Sequence, residues 1–410
     1  MHIEAPDRDT SARRMRIVHA VRQYPPGVGG VEATVSSLAE RQAAQGHRVR
    51  VVTLNRIFDG GGGRLASREW RNGVEVVRVP YLGPRKYPLA PGVLRHLGDA
   101  EVVHVHGLEF FADCVGLLRF VHRKPLVLST HGGFFHTSFA QQVKRLWFHT
   151  ITRTTLRNYA AVAASSVQDA AIFERLAPNK VVAVENAVDT AKFAGLAARG
   201  SKTMIYFGRL APNKGLERLI SWFASLLETD AQWRIIIAGK EMGVSLDALR
   251  ALASSRRIAD AVELHPAPTD EQLGQLIRRA NVYVGASTFE GFGLAAVEGI
   301  GAGLFPLLSD IAPFRRTIER VGCGLTVDFE PGRDLDRFLA ALERHEAHAP
   351  PASLLPPLRG YDWSTVLDRF AAIYAEAIAR EQPRRSDRDM GHLALPSSSA
   401  THSLNMGERS

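Results

Sequence analysis

The sequence predicts an α/β protein made of two doubly wound halves, each with a parallel sheet. Three observations predict it. Short apolar runs recur without polar alternation, as strands buried on both faces do. Helical patterns separate them, in the strand–turn–helix–strand order of parallel βαβ units. A second series of the same kind begins near Ser201, and two such series in one chain imply two domains.

In chain order, MRIVHAV is a buried strand followed by the turn RQYPPGVGGVE and the helical pattern VEATVSSLAERQAAQG, with Gly46 as its stop. HRVRVVTLN and VEVVRVPY follow as strands. EVVHVHG and KPLVLSTHG each end at His-Gly, and AAVAASS and KVVAVENAVD close the first series. The second series runs TMIYFGRL, GLERLISWFASLLE, WRIIIAGK, SLDALRALASSRR, AVELHP, TDEQLGQLIRRA, NVYVGAS, FEGFGLAAVEGIGAG and LFPLLSD. WSTVLDRFAAIYAEAIARE is an amphipathic helix that Ser364 is placed to cap. The expected organisation is a disordered leader over 1–14, a first domain over 15–195 and a second over 196–360. The final helix spans 361–381, and a polar, Ser-rich disordered tail spans 382–410. The crossing between domains is expected around Phe193–Gly200.

With 410 residues, 45% hydrophobic and 23% charged, the chain is of ordinary globular make-up and long enough for two cores. Its two cysteines, Cys114 and Cys323, fit no metal-ligand spacing and no disulfide scaffold, which points to a reducing cytoplasm. The N-terminal stretch lacks the apolar core of a signal peptide, and no run approaches the ~20 apolar residues that span a bilayer. A net charge of +9 admits polyanionic partners or a solvated basic surface. No zinc-finger spacing or RNA-binding signature appears, so nucleic acid is not an expected partner.

Ligands of open α/β sheets bind beyond the carboxyl ends of the strands. Gly27, Gly29 and Gly30 precede a helix there, where exposed N–H groups suit an anion and a tight strand-to-helix turn fits equally well; PGVGGVE is not the GxGxxG of nicotinamide sites. GRLAPNKG puts Arg209 and Lys214 in one loop, two cations able to neutralise a diphosphate. A basic surface loop has the same composition. In TFEGFGLAAVEG, Glu290 and Glu298 would lie about 80° apart on an ideal helix and so share no narrow face. A loop Glu290 and a helical Glu298, with the helix starting near Gly293, can instead approach one ligand from two sides. Carboxylates there suit sugar hydroxyls; a cap and a surface residue are the plainer reading. His131 stands at a strand end, placed for hydrogen bonding or catalysis. His104 and His106 form an HxH without a third ligand at convincing spacing, so packed, satisfied histidines are expected rather than a metal site. No acidic pair is placed to hold a divalent cation.

Arg209 and Lys214 in GRLAPNKG, followed by Glu290 and Glu298 in FEGFGLAAVE, resemble the signature of the retaining GT-B glycosyltransferases of family 4, over residues 15–381. The resemblance implies two Rossmann-like domains facing a cleft, with the last helix crossing back to the first domain. It implies that Arg209 and Lys214 bind the donor diphosphate and Glu298 the ribose. Glu290 and the amides of Gly291, Phe292 and Gly293 would hold the transferred sugar, with His131 near the reacting carbon. Gly29 and Gly30 would line the cleft on the acceptor side. No metal or other cofactor is implied. The stretches VHAVRQYPPGVGGVE, VVTLNRIF, PGVLRHLGDAEVVHVHGLEFF and LVLSTHGGFFHT are similar to those of exopolysaccharide α-mannosyltransferases. That similarity implies GDP-mannose as donor, a cellobiosyl-diphosphopolyprenol acceptor and an α-1,3 linkage. Two departures leave the nucleotide base open: WRIIIAGK continues as EMG where Gly-x-Gly is common, and His265 stands where a glycine is common.

A lipid-linked acceptor implies a membrane surface, placing the protein on the inner face of the cell membrane. The segment 140–159 carries Lys144, Arg145, Arg153 and Arg157 with Leu146, Trp147, Phe148 and Ile151, as an interfacial helix on anionic lipid would. A core helix with a basic outer face fits equally well. The remaining alternatives are another donor such as UDP-glucose on the same scaffold, a Rossmann oxidoreductase, which the GVGG turn disfavours, and a non-catalytic sugar-binding protein, which would not need a diphosphate clamp.

Overall fold

A computed structural model describes residues 13–27, 29–58, 63–85, 87–131, 147–348, 358 and 361–381. Most of the expected leader and all of the expected tail lie outside these residues.

The first sheet has eight strands: β1 (Arg16–Val21), β2 (Arg48–Leu54), β3 (Arg68–Arg71), β4 (Val74–Val79), β5 (Val102–His106), β6 (Leu126–Ser129), β7 (Ala161–Ala164) and β8 (Val181–Ala183). Their order is β3-β4-β2-β1-β5-β6-β7-β8. Every pairing is parallel except β3 with β4, an antiparallel edge formed by REWR. Helices α1 (Gly30–Ala44), α2 (Phe110–Leu117) and α3 (Val167–Glu174) fill crossovers. Helix α1 stops where expected: Gly46 takes φ 89, and its N–H donates to the Ala43 carbonyl at 2.9 Å.

The second sheet has six strands: β9 (Thr203–Phe207), β10 (Arg234–Gly239), β11 (Val262–Pro266), β12 (Val282–Gly285), β13 (Phe305–Ser309) and β14 (Leu325–Val327), in the order β11-β10-β9-β12-β13-β14. It is crossed by α4 (Leu216–Thr229), α5 (Leu246–Ser255), α6 (Asp270–Ile277), α7 (Leu294–Gly301), α8 (Ala312–Val321) and α9 (Leu335–His348). One face of this sheet packs on Trp222, Phe223 and Phe338; on the other, Phe207 and Tyr283 of the sheet pack with Phe314 of α8. Each such burial contributes about 1.5–3 kcal/mol.

Phe193, Leu196 and Ala197 already pack in the second core, and Val188 packs with Val297 and Ile300. The chain therefore crosses between sheets just after β8, ahead of the stretch where composition changes. Helix α10 (Trp363–Ala379) returns to the first sheet, burying Val366, Phe370, Ile373 and Tyr374 against Ile17, Val102 and Val127. Its cap is Asp362, whose carboxylate accepts from the Thr365 N–H at 2.7 Å; Ser364 instead donates to Asp362. The helix starts two residues earlier than a Ser364 cap requires, and Asp caps as well as Ser.

Each sheet reverses winding direction once, between β1 and β5 in the first and between β9 and β12 in the second. A doubly wound sheet opens a crevice at that point.

Candidate active site

In the second domain the crevice is lined by the loops after β9 and β12, which hold the predicted cations and the first predicted glutamate. The two loops are stitched together. The Thr288 N–H donates to the Asn213 carbonyl at 2.9 Å, and the Asn213 amide donates to the Phe289 carbonyl at 3.0 Å. Behind them, the Arg218 guanidinium donates to the carbonyls of Ala286 (2.8 Å) and Ser287 (3.2 Å). Gly215 ends the Pro212–Lys214 turn with φ 63 and caps α4. A Cβ there would stand 2.2 Å from the Ala286 carbonyl oxygen, so both conformation and space require glycine.

This frame brings Lys214 and Glu290 into a largely buried ion pair, and Ser287 Oγ donates to the same Glu290 oxygen at 2.8 Å. Arg209 is exposed in the same loop, and among the described residues no ion pair or hydrogen bond holds its guanidinium. Its backbone is fixed by Tyr206, whose hydroxyl donates to the Arg209 carbonyl at 2.7 Å. The arrangement offers one paired, largely buried ammonium and one exposed guanidinium to an anionic ligand, the ammonium as a point charge and the guanidinium as a bidentate fork.

Helix α7 begins after Gly293, as the sequence predicts, with φ 89 at that glycine and the Phe314 ring 2.7 Å from where a Cβ would be. Gly291 is open to solvent, and Phe292 packs edge-on to Tyr361 at 5.1 Å between ring centroids. Glu298 lies inside α7, partly buried. Desolvation raises its pKa, with Lys192 opposing and Asp270 and Asp189 adding to the rise. Lys192 is paired with Asp270 at 2.6 Å. Glu290 and Glu298 thus stand in loop and helix, as expected, and share no partner among the described residues. His265 lies in β11 beside Glu263 at 3.5 Å.

In the first domain, Gly29 is the N-cap of α1 in extended backbone and Gly30 is its first residue, with nothing within 4 Å of a Cβ built there. Both follow β1, at the first sheet's own crevice. Across it, Glu109 follows β5 and pairs with Arg22 at 2.9 Å. Burial raises the Glu109 pKa to about 7, against the pull of Arg22.

His131 follows β6 with φ 52, a left-handed conformation that costs a non-glycine residue energy. Its Nε2 lies 2.9 Å from His106 Nδ1, and His106 Nε2 lies 2.9 Å from His19 Nδ1. His19 Nε2 meets Gln42 Oε1 at 2.8 Å. Gln42 Nε2 donates to the Tyr374 hydroxyl at 3.3 Å, and that hydroxyl meets His104 Nδ1 at 2.7 Å. His104 Nε2 lies 2.7 Å from Ser129 Oγ. Burial depresses His19 and His131 to about 4 and also lowers His104 and His106, so all four rings are neutral at neutral pH. His104 and His106 are satisfied, as expected. A third histidine does join them, however: ring nitrogens of His19, His104 and His106 lie within 4.8 Å of one another. Every nitrogen of those three rings is engaged in the chain just described, which leaves no lone pair directed at a common centre.

His19, Gln42, Tyr374, Ser287, Asn213 and Arg218 escape a motif-by-motif reading. His19 alone carried a signal: it is a histidine inside the apolar run MRIVHAV, and parallel pairing places it beside His104.

Comparison with known proteins decides the family. The model described as "Glycosyltransferase Family 4" matches residues 28–192, and that described as "Glycosyl transferases group 1" matches 188–349. The chain is 41% identical over 370 residues to the GDP-mannose:cellobiosyl-diphosphopolyprenol alpha-mannosyltransferase of Xanthomonas oryzae pv. oryzae, covering 89% of this chain and 97% of that one. The chain belongs to the family 4 glycosyltransferases. Proteins of the same name from Xanthomonas campestris and Komagataeibacter xylinus are 39% and 36% identical, over 100% and 95% of their lengths and 91% and 90% of this chain. Solved structures place the glycosyltransferase in the GT-B fold. Anabaena HepE in complex with UDP and glucose matches with a TM-score of 0.66 at 17% identity, covering 88% of this chain and all of that one. Sucrose-phosphate synthase from Thermosynechococcus elongatus matches at 0.62 and 17%, covering 89% of this chain and all of that one.

Proposed function

We propose that this glycosyltransferase moves mannose from GDP-mannose to a cellobiosyl-diphosphopolyprenol acceptor, forming an α-1,3 linkage with retention and without a metal ion, in exopolysaccharide synthesis. The observation that carries the reading is the stitched crevice holding Lys214, Arg209 and Glu290, in a chain 36–41% identical to three mannosyltransferases of that name.

The chemistry follows from charge. Cleaving the sugar–phosphate bond develops positive charge on the sugar and negative charge on the diphosphate. Arg209 and Lys214 stabilise the second. Glu298, kept partly desolvated in α7, accepts hydrogen bonds from the ribose. Glu290, held by Lys214 and Ser287, and the amides of Gly291, Phe292 and Gly293 orient the sugar. His131, on the facing domain, contacts the sugar near its reacting carbon, and Gly29 and Gly30 line the acceptor side. The leaving phosphate takes the acceptor's proton, giving substitution on one face.

A lipid-linked acceptor places the protein against the inner face of the membrane. No helix among the described residues is long and apolar enough to cross one. Much of the expected interfacial segment lies outside the described residues. In the part described, Leu156 and Tyr159 face the core while Arg153 and Arg157 are exposed, and the nearby surface exposes Phe120 and Val121. Those groups suit an anionic lipid surface.

Incubation with radiolabelled GDP-mannose and a polyprenyl-diphosphate disaccharide tests the reaction, with label expected in the lipid phase as an α-linked trisaccharide. Transfer from UDP-glucose alone, an inverted product, or activity abolished by EDTA and restored by magnesium would overturn the corresponding part. Flotation with liposomes tests attachment, and indifference to lipid charge would remove it.

A further inference from the structure

We propose that Gln42 and Tyr374 are positioning residues for His131: acting through His19 and His106, they fix its proton on Nε2 and leave Nδ1 as a hydrogen-bond acceptor. The inference rests on the reading above that His131 meets the transferred sugar.

A neutral imidazole has one donor and one acceptor nitrogen. The Gln42 amide stands with its oxygen on His19 and its nitrogen on Tyr374. An amide oxygen only accepts, so His19 carries its proton on Nε2 and accepts at Nδ1. His106 must then donate from Nε2 and accept at Nδ1, and His131 must donate from Nε2. On the other branch, Tyr374 accepts from Gln42, and among the described residues its own buried proton has only His104 Nδ1 left to go to, which sends the His104 proton to Ser129. All four rings end as Nε2–H, the form free neutral histidine prefers.

One other assignment satisfies every contact and also places the Tyr374 proton, with the Gln42 amide reversed and all four rings Nδ1–H. The rings are therefore coupled, and Gln42 is the junction that sets their common direction. Tyr374 holds the junction from α10, an element more than 300 residues along the chain. His131 takes a left-handed φ of 52 at the far end, so backbone energy is spent on placing that ring. In the Nε2–H form its Nδ1 accepts from a sugar hydroxyl. A small cavity of about 20 Å³ borders His106, His131 and Ser129, enough for one water.

Full-length protein labelled with ¹⁵N-histidine reports each ring's tautomer by long-range ¹H–¹⁵N correlation. We expect Nε2–H at His131 in the wild type. Gln42→Leu removes the junction, and Tyr374→Phe removes only one hydroxyl. Each is expected to populate Nδ1–H at His131 and to lower kcat about tenfold, the worth of roughly one directed hydrogen bond. Gln42→Glu can only accept, so it should keep His19, His106 and His131 as Nε2–H, invert His104 and restore most of kcat. An Nδ1–H His131 in the wild type, or a His131 tautomer unmoved by Gln42→Leu and Tyr374→Phe, overturns the proposal. Coupled tautomers with unchanged turnover would uphold the wiring and remove His131 from the sugar site.

Discussion

Lys214 carries the sharpest consequence of any single residue. Its ammonium is held against Glu290, which Ser287 also holds, so the cation is in place before any ligand arrives. Such preorganised charge acts most on the step in which charge develops. Lys214→Ala should lower kcat by about 10²–10³-fold, typical for removing one such group. Circular dichroism should still report the folded protein, because neither Lys214 nor Glu290 belongs to a hydrophobic core, while the thermal midpoint falls because Glu290 loses its counter-ion. Near-normal turnover in a folded variant would take Lys214 out of the donor site. Arg209 is expected to show a milder loss, because its exposed guanidinium must still be ordered when ligand binds.

Among the elements, the loop between β9 and α4 depends on Gly215. Alanine there would meet the Ala286 carbonyl and would carry a left-handed φ that costs roughly 1–2 kcal/mol. The strain falls on the stitching between the two crevice loops. Gly215→Ala should therefore weaken donor binding and lower kcat/KM at least about tenfold, measured by nucleotide-sugar protection and steady-state kinetics. Retained donor protection would show that the loop tolerates the shift. This element also marks how far the sequence is legible. GRLAPNKG and FEGFGLAAVE announce their cations and carboxylates because those residue types are dictated by ligand chemistry. The Gly293 helix start was readable because a left-handed residue needs glycine. Asn213 and Arg218, which lock the loops, were not readable, since they act through backbone carbonyls that composition does not display. Nor was the β3 edge, because REWR has no apolar run. The network around His131 joins residues 19, 42, 104, 106, 129 and 374, and only folding brings together positions so far apart. The helix cap shows the limit within a single turn: Asp362 and Ser364 both qualify by type, and backbone geometry chose the aspartate.

At the scale of the whole molecule, buried His19, His104 and His106 and half-buried His131 make the first domain sensitive to acid. Burial holds the folded pKa of His19 and His131 at about 4, below the ordinary 6.5 of the unfolded chain, and lowers His104 and His106 as well. Between those values the unfolded state binds protons that the folded state refuses. Stability is therefore complete above pH 6.5 and lost as pH falls toward 4, by roughly 3 kcal/mol for each of His19 and His131 at the limit. Glu109 works in the opposite sense. Its folded pKa of about 7 lies above its unfolded 4.5, so its unfavourable contribution grows as pH rises through that window and is constant beyond it. The histidines prevail, because four rings titrate together and solvent still partly reaches the Glu109 carboxyl, with 29% of its side chain exposed. Denaturant midpoints at pH 8, 7, 6 and 5 should be level down to about 6.5 and then fall. Glu109→Gln should raise the midpoint at pH 8 and steepen the acid fall, since it removes a group that opposes the histidines. A midpoint that holds level to pH 5 in both proteins would mean that the histidines accept protons in the folded state, and the neutral network joining Gln42 to His131 would fall with it.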